Sequence, residues 1–272
     1  MAEAITSLQN RRIKDLVALS EKSRLRREKM VFTVEGRREV SRCMAAGFQV
    51  LEIYWCPDLV DEGEVDSLLA GSPAAGAARP EIFEVSQAVY SKIAYREGTE
   101  GMVAVVRCRE HSLENLHVGE NPLVVVLESV EKPGNLGAIL RTADAAGVSA
   151  VIVCDPLCDL YNPNLLRAST GGIFTVPVAV CSSEEAVAWL RAHSVQILTA
   201  QLQDSSPYYD IDFVRGTAVV FGTEATGLSG YWRAQADRHV IIPMLSRLDS
   251  LNVATSVAIL CYEAVRQRIN KK

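Results

Sequence analysis

The sequence predicts an α/β protein in two parts: a small α/β unit, then a larger one built on a mostly parallel sheet with helices on both faces. Short apolar runs alternate with helical segments along most of the 272 residues. Runs such as Leu123–Leu127 and Ala150–Cys154 are apolar at every position, as in parallel strands covered on both faces. Between the parts, the polar stretch Arg109–Asn121, closed by Pro122, interrupts the pattern and reads as a linker. The expected divisions are therefore 1–108, 109–121 and 122–272.

In the first part, Ser7 is the expected N-cap of a helix carrying Leu8, Leu16, Val17 and Leu19. Met30–Val34 reads as a short strand and Gly36–Gly47 as a helix ending on glycine. Val50–Trp55 is the next strand, followed by an acidic helix near Glu64–Leu69. Gly71–Gly76 is too rich in turn formers for regular structure. Ile82–Val85, Gln87–Ile93 and Met102–Arg107 then read as strand, helix and strand. The second part should supply strands at Leu123–Leu127, Ala150–Cys154, Phe174–Val180, Val195–Thr199, Thr217–Phe221 and His239–Ile242. A long helix, Leu251–Ile269, should close it.

Net charge is −5, but it is unevenly spread. Asn10–Arg42 holds eleven Lys/Arg against five Asp/Glu, a surplus of six, so the rest of the chain carries −11. A basic arm on an acidic body is the asymmetry expected where the first segment meets phosphates, with Arg11, Arg12, Lys14 and Arg37 as candidate contacts. No apolar run reaches the length of a membrane span. Met1–Ile5 lacks the charge-then-apolar pattern of a secretory leader. The seven cysteines show no C-x-x-C spacing, and the closest pair, Cys154 and Cys158, has no nearby histidine to complete a zinc set. Reduced packing thiols in a cytoplasmic protein without a bound metal are expected.

Three stretches carry candidate chemistry. After the strand ending at Leu127, a turn with Pro133, Gly134 and Gly137 opens a helix holding Asn135 and Arg141, at the strand end where ligands of open parallel sheets gather. A solvated helix arginine is the ordinary reading of Arg141 alone. Gly222-Thr223-Glu224-Ala225-Thr226-Gly227-Leu228 follows another strand; its glycines permit close backbone approach, although a tight strand-to-helix turn would use them equally. Ser250-Leu251-Asn252 precedes the closing helix, where Ser250 or Asn252 can serve as N-cap, or the stretch can wall an adenine pocket. A dinucleotide-binding unit is the rival for the first stretch, with Asp155 twenty-one residues after Gly134, but the glycines read G-x-x-G rather than G-x-G-x-x-G.

In their order and spacing, these stretches resemble the three motifs of the SpoU/TrmH family of RNA ribose 2′-O-methyltransferases, from about Leu123 to the end. Asn135 and Arg141 match the first motif; Gly222, Glu224 and Gly227 the second; Ile242, Pro243, Met244, Ser250, Leu251 and Asn252 the third. The resemblance implies a trefoil-knotted C-terminal domain of SPOUT type, S-adenosylmethionine as cofactor, and a homodimer formed through that domain. It implies a catalytic set of Arg141, Asn135, Glu224, Ser250 and Asn252, and a cofactor set of Gly222, Gly227, Ile242, Met244 and Leu251. Arg167 and Ser169 fall in a family segment flanking the RNA site, though Thr170 stands where alanine is common and the pair Gly171-Gly172 is less usual. The first part resembles a ribosomal-protein-like substrate-binding domain, with Glu100-Gly101 in place of the frequent Gln-Gly and without the histidine that often precedes it.

The implied reaction is 2′-O-methylation of RNA, with ribosomal RNA preferred as substrate because a separate docking domain suits a large folded target. Transfer RNA, or ribosomal RNA in an antibiotic-resistance role, is the alternative. A nicotinamide-dependent oxidoreductase and an RNA-binding protein with a decayed site are the competing classes. Arginine stays protonated in proteins, so Arg141 is expected to stabilise alkoxide character at the ribose oxygen rather than act as a base.

Overall fold

The computed structural model describes residues 3–70, 79–95, 100–247 and 249–270. The expected Gly71–Gly76 loop lies outside them. The chain forms two compact units, Met1–Glu110 with Leu160–Arg167, and His111–Asp159 with Ala168–Lys272.

The first unit runs β1 (Glu3–Ile5), α1 (Arg11–Glu21), α2 (Ser23–Lys29), β2 (Val31–Glu35), α3 (Arg37–Ala45), β3 (Val50–Trp55), α4 (Glu62–Ala70), β4 (Glu81–Val85), α5 (Gln87–Ile93) and β5 (Met102–Arg107). Its sheet has the order β1-β4-β3-β5-β2. β4 is parallel to β1 and β3, whereas β5 is antiparallel to β3 and β2. Ile13, Leu16 and Leu19 recur on one side of α1 and pack into a core with Tyr54, Phe83, Val89 and Tyr90.

Two elements of this unit escape the sequence pattern. β1 is only three residues long, and α2 has Leu25 as its one large apolar residue, so neither shows a period. Asn10, not Ser7, caps α1, its side chain accepting from Arg12 N at 2.8 Å. Buried Arg26 joins the two helices by donating to the carbonyls of Leu19 and Ser20.

The chain continues with β6 (Leu123–Glu128), α6 (Pro133–Ala146), β7 (Ala150–Cys154), α7 (Pro163–Ser169), α8 (Gly172–Thr175), β8 (Val178–Cys181), α9 (Ser183–Ala192), β9 (Gln196–Ala200), β10 (Ser206–Pro207), β11 (Thr217–Phe221), α10 (Gly230–Gln235), β12 (Arg238–Ile241) and α11 (Val253–Asn270); α7 up to Arg167 belongs to the first unit and the other elements to the second. The strands form one parallel sheet in the order β10-β12-β9-β11-β6-β7-β8. Val124, Val126, Ile152, Ala218 and Val220 face a core completed by α9 and by Trp232 of α10. α6 and α11 pack on each other across the other face, burying Leu136, Ile139 and Leu140 beside Val257, Leu260 and Cys261. Burial on both faces is why the runs Leu123–Leu127 and Ala150–Cys154 are apolar at every position.

Two expectations are corrected here. Phe174–Val180 is not one strand: Gly172–Thr175 is a helical turn and β8 starts only at Val178. An apolar run does not reveal its own period, and Pro177 favours the extended conformation found at Val176. From His111 onward, the expected linker is part of the second unit. His111 O accepts from Val180 N, and Leu116 is buried in the core on the α9 side. Every cysteine is a free thiol.

Candidate active site

The loop after β11 closes on itself. Thr223 and Gly227 exchange both backbone hydrogen bonds, at 3.2 and 3.0 Å. The Thr223 hydroxyl accepts from Thr226 N and meets the Thr226 hydroxyl at 2.8 Å. Gly227 is left-handed, with φ +69°. Gly222 is required for a different reason: an added Cβ would lie 2.2 Å from the carbonyl carbon and oxygen of Gly227. Both glycines expected from the sequence are thus needed, one for conformation and one for space.

This loop, the ends of β9 and β12 and the segment leading to α11 enclose a cleft of about 340 Å³. It lies at the carboxyl ends of parallel strands, where open α/β sheets take their ligands. Gly222, Gly227, Ile242, Met244 and Leu251, the five residues expected to hold a cofactor, all line it, as do Glu224 and Ser250. The sequence reading missed Ala200–Gln203 after β9 and Arg233 of α10. Position after a strand of the same sheet was the available signal for the former; nothing marked the latter.

Glu224 draws the three stretches together. Its Oε1 accepts from Asn135 Nδ2 at 2.8 Å and from Asn252 Nδ2 at 2.7 Å. Asn252 Nδ2 also reaches Asn135 Oδ1 at 3.3 Å, closing a ring. Lys132, which the sequence reading passed over, pairs with Glu224 Oε2. Lys132 above all, with the two amides, holds the Glu224 carboxyl below the usual carboxylate range. Because the folded value is depressed, this contribution is present above the unfolded pKa and is lost as pH falls through the folded one.

Asn252 has two tasks, since its Oδ1 also accepts from Ala254 N at 3.0 Å and so caps α11. Asn252→Ala should lose both, lowering stability by about 1 kcal/mol. Asn252→Ser should keep the cap and lose the ring. Thermal unfolding and activity measured on both variants separate the two tasks; equal melting temperatures for Ala and Ser would remove the cap from the account.

The remaining candidates divide. Arg141 is exposed on α6, outside the cleft lining, and its side chain makes no hydrogen bond or ion pair to a described residue. The unusual Gly172 lets α8 approach the α6 backbone at this point, since a Cβ there would sit 2.8 Å from Leu140 O and 3.2 Å from Arg141 N. Arg11, Lys14 and Arg167 are exposed. Arg12 is instead committed to Glu52 at 2.9 Å, to Glu81 at 3.3 Å and to the Phe83 ring, and Arg37 pairs with Glu64. Ser169 is 1% exposed, so it cannot contact RNA from this position.

Asp155, the acid of the dinucleotide alternative, has one oxygen engaged within the fold: its Oδ2 accepts from Ser183 Oγ of α9, which in turn accepts from Trp232 Nε1 of α10. Among the described residues, no group of three or more His, Cys, Asp or Glu could hold a metal, and no helix is long and apolar enough to cross a membrane.

Comparison with known proteins gives a consistent set of likenesses. The family model for the SpoU rRNA Methylase family matches residues 122–262, and that for an MRM3-like substrate binding domain matches 10–104. The 23S rRNA (uridine(2479)-2′-O)-methyltransferase of Streptomyces viridochromogenes is 36% identical over 180 residues, covering 64% of this chain and 63% of that one. The 23S rRNA (guanosine(2553)-2′-O)-methyltransferase RlmP of Bacillus subtilis is 29% identical over 95% of this chain and 97% of its own. The crystal structure of an AdoMet-bound rRNA methyltransferase from Sinorhizobium meliloti superposes with a TM-score of 0.86 at 30% identity, covering 97% of this chain and 98% of that one.

Proposed function

The chain belongs to the SpoU rRNA methylase family, and from that premise we propose that it methylates a ribose 2′-hydroxyl of 23S ribosomal RNA, with S-adenosylmethionine as donor. The observation that carries this reading is the ring of Asn135, Glu224 and Asn252, one residue from each motif, beside the cleft.

The cleft fits the cofactor. About 340 Å³ suits a nucleoside-sized ligand, and the lining mixes apolar side chains with loop backbone, which Gly222 allows to close because a Cβ there would strike Gly227. Gly222, Gly227, Ile242, Met244 and Leu251 would hold it, with Ser250 beside them. When bound, S-adenosylmethionine supplies a methyl group activated by its sulfonium. Asn135, Glu224 and Asn252 shape the wall between donor and ribose. Arg141, a permanent cation, holds the target phosphate and stabilises negative charge developing on the 2′ oxygen, while a phosphate oxygen or water takes the proton. Positioning supplies much of the remaining acceleration.

The first unit docks the RNA, and exposed Arg11 and Lys14 are its candidate phosphate contacts. The second unit has the SPOUT fold of its family, in which the C-terminal segment threads a trefoil knot; here α11 follows β12 and packs back on α6. We assign the working form as a cytoplasmic homodimer joined through this unit, where Tyr262 and Ile269 of α11 face solvent.

Titration calorimetry with S-adenosylmethionine and, separately, NAD tests the cofactor, and a map of 2′-O-methylated riboses in a deletion strain tests the substrate. Binding of S-adenosylmethionine alone and loss of one 23S methylation are expected. Loss of a transfer-RNA methylation instead would move the substrate. An unchanged map with no S-adenosylmethionine binding would overturn the assignment.

A further inference from the structure

Glu224 poses an electrostatic problem for an RNA enzyme. Its side chain is 32% exposed, and its contacts favour the charged form. An RNA phosphate approaching Asn135 or Asn252 must come near this carboxylate, because both amides bind it directly. Those amides orient the carboxylate but bring no charge. Among the described residues, Lys132 is the one cation paired with it. Lys132 immediately precedes Pro133, the first residue of α6, and its side chain is 65% exposed.

We propose that Lys132 is a positioning residue that acts through Glu224, cancelling its charge so that the target RNA phosphate can settle beside the Asn135–Glu224–Asn252 ring. This rests on the methyltransferase reading above. The fixed start of α6 sets where Lys132 leaves the backbone, and the closed Thr223–Gly227 loop sets where Glu224 waits, so the pair forms before RNA arrives. Glu131 adds a further acid beside Lys132, which increases the need for a cation here.

The role predicts a dependence on Glu224 that a direct phosphate contact would not show. The test measures binding of protein-free 23S ribosomal RNA in the presence of S-adenosylhomocysteine, together with steady-state methylation. Lys132→Gln should weaken RNA binding and raise the RNA KM about three- to tenfold, with a smaller effect on kcat. Lys132→Arg should restore both. S-adenosylmethionine affinity, read by calorimetry, should stay at the wild-type value and report an intact fold. In a Glu224→Gln background, Lys132→Gln should weaken RNA binding no further.

If Lys132→Gln weakens RNA binding equally in both backgrounds, Lys132 touches RNA itself and the proposal is overturned. It is also overturned if Lys132→Gln matches the wild type, or if kcat falls while KM holds. A wild-type protein that binds neither S-adenosylmethionine nor ribosomal RNA would remove the methyltransferase reading, and the proposal with it.

Discussion

Arg141→Ala is expected to lower methyl transfer by about 10²–10³-fold, the loss typical when one preorganised donor to developing negative charge is removed. S-adenosylmethionine affinity should be unchanged, because Arg141 does not line the cleft. Stability should also hold, since the side chain is exposed and bonds to no described residue. Freedom from structural partners separates Arg141 from Arg12, which Glu52 and Glu81 occupy. Arg141→Lys refines the role. Lysine keeps the charge but loses the planar fork that can grip a phosphate with two parallel bonds. Single-turnover methylation should place Arg141→Lys between wild type and alanine. Full activity in the lysine variant would exclude the two-bond grip, and unchanged activity in the alanine variant would remove Arg141 from the chemistry.

Gly222→Ala should cost S-adenosylmethionine affinity about tenfold or more, through roughly 1–3 kcal/mol of overpacking. The atoms that the new methyl would strike are backbone: C and O of Gly227 at 2.2 Å and N of Leu228 at 2.4 Å. None can swing aside, so the Thr223–Gly227 hydrogen bonds must stretch and carry Glu224 with them. Gly134→Ala is the matched control, since a methyl added there would meet nothing within 4 Å. Calorimetric titration of both variants with S-adenosylmethionine should therefore part them clearly. Equal affinities would mean that the loop yields more easily than its geometry implies.

Much of the fold was legible because its signals are local. Gln87–Ile93, Val50–Trp55 and Met102–Arg107 form at the expected residues, and the fully apolar runs Leu123–Leu127 and Ala150–Cys154 announced a sheet covered on both sides. β1 and α2 were missed because very short or highly charged segments have no apolar period. Phe174–Val180 was misread as one strand because the left-handed Gly171 before it and Pro177 within it, not its apolar residues, decide where the chain turns.

The candidate site shows the same division. Motif order alone nominated Asn135, Glu224 and Asn252, together with the five residues that line the cleft. No local pattern could disclose that Lys132 meets Glu224 across 92 positions, or that Asn252 reaches Asn135 across 117. Nor could it tell that Glu52 holds Arg12 across 40, or that packing buries Ser169. Side-chain period and turn chemistry are properties of neighbouring residues, so the sequence by itself determined the elements, the family motifs and the sheet's apolar character. Charge pairing and burial depend on which distant segments the fold brings within a few ångströms, and only the tertiary structure decided those.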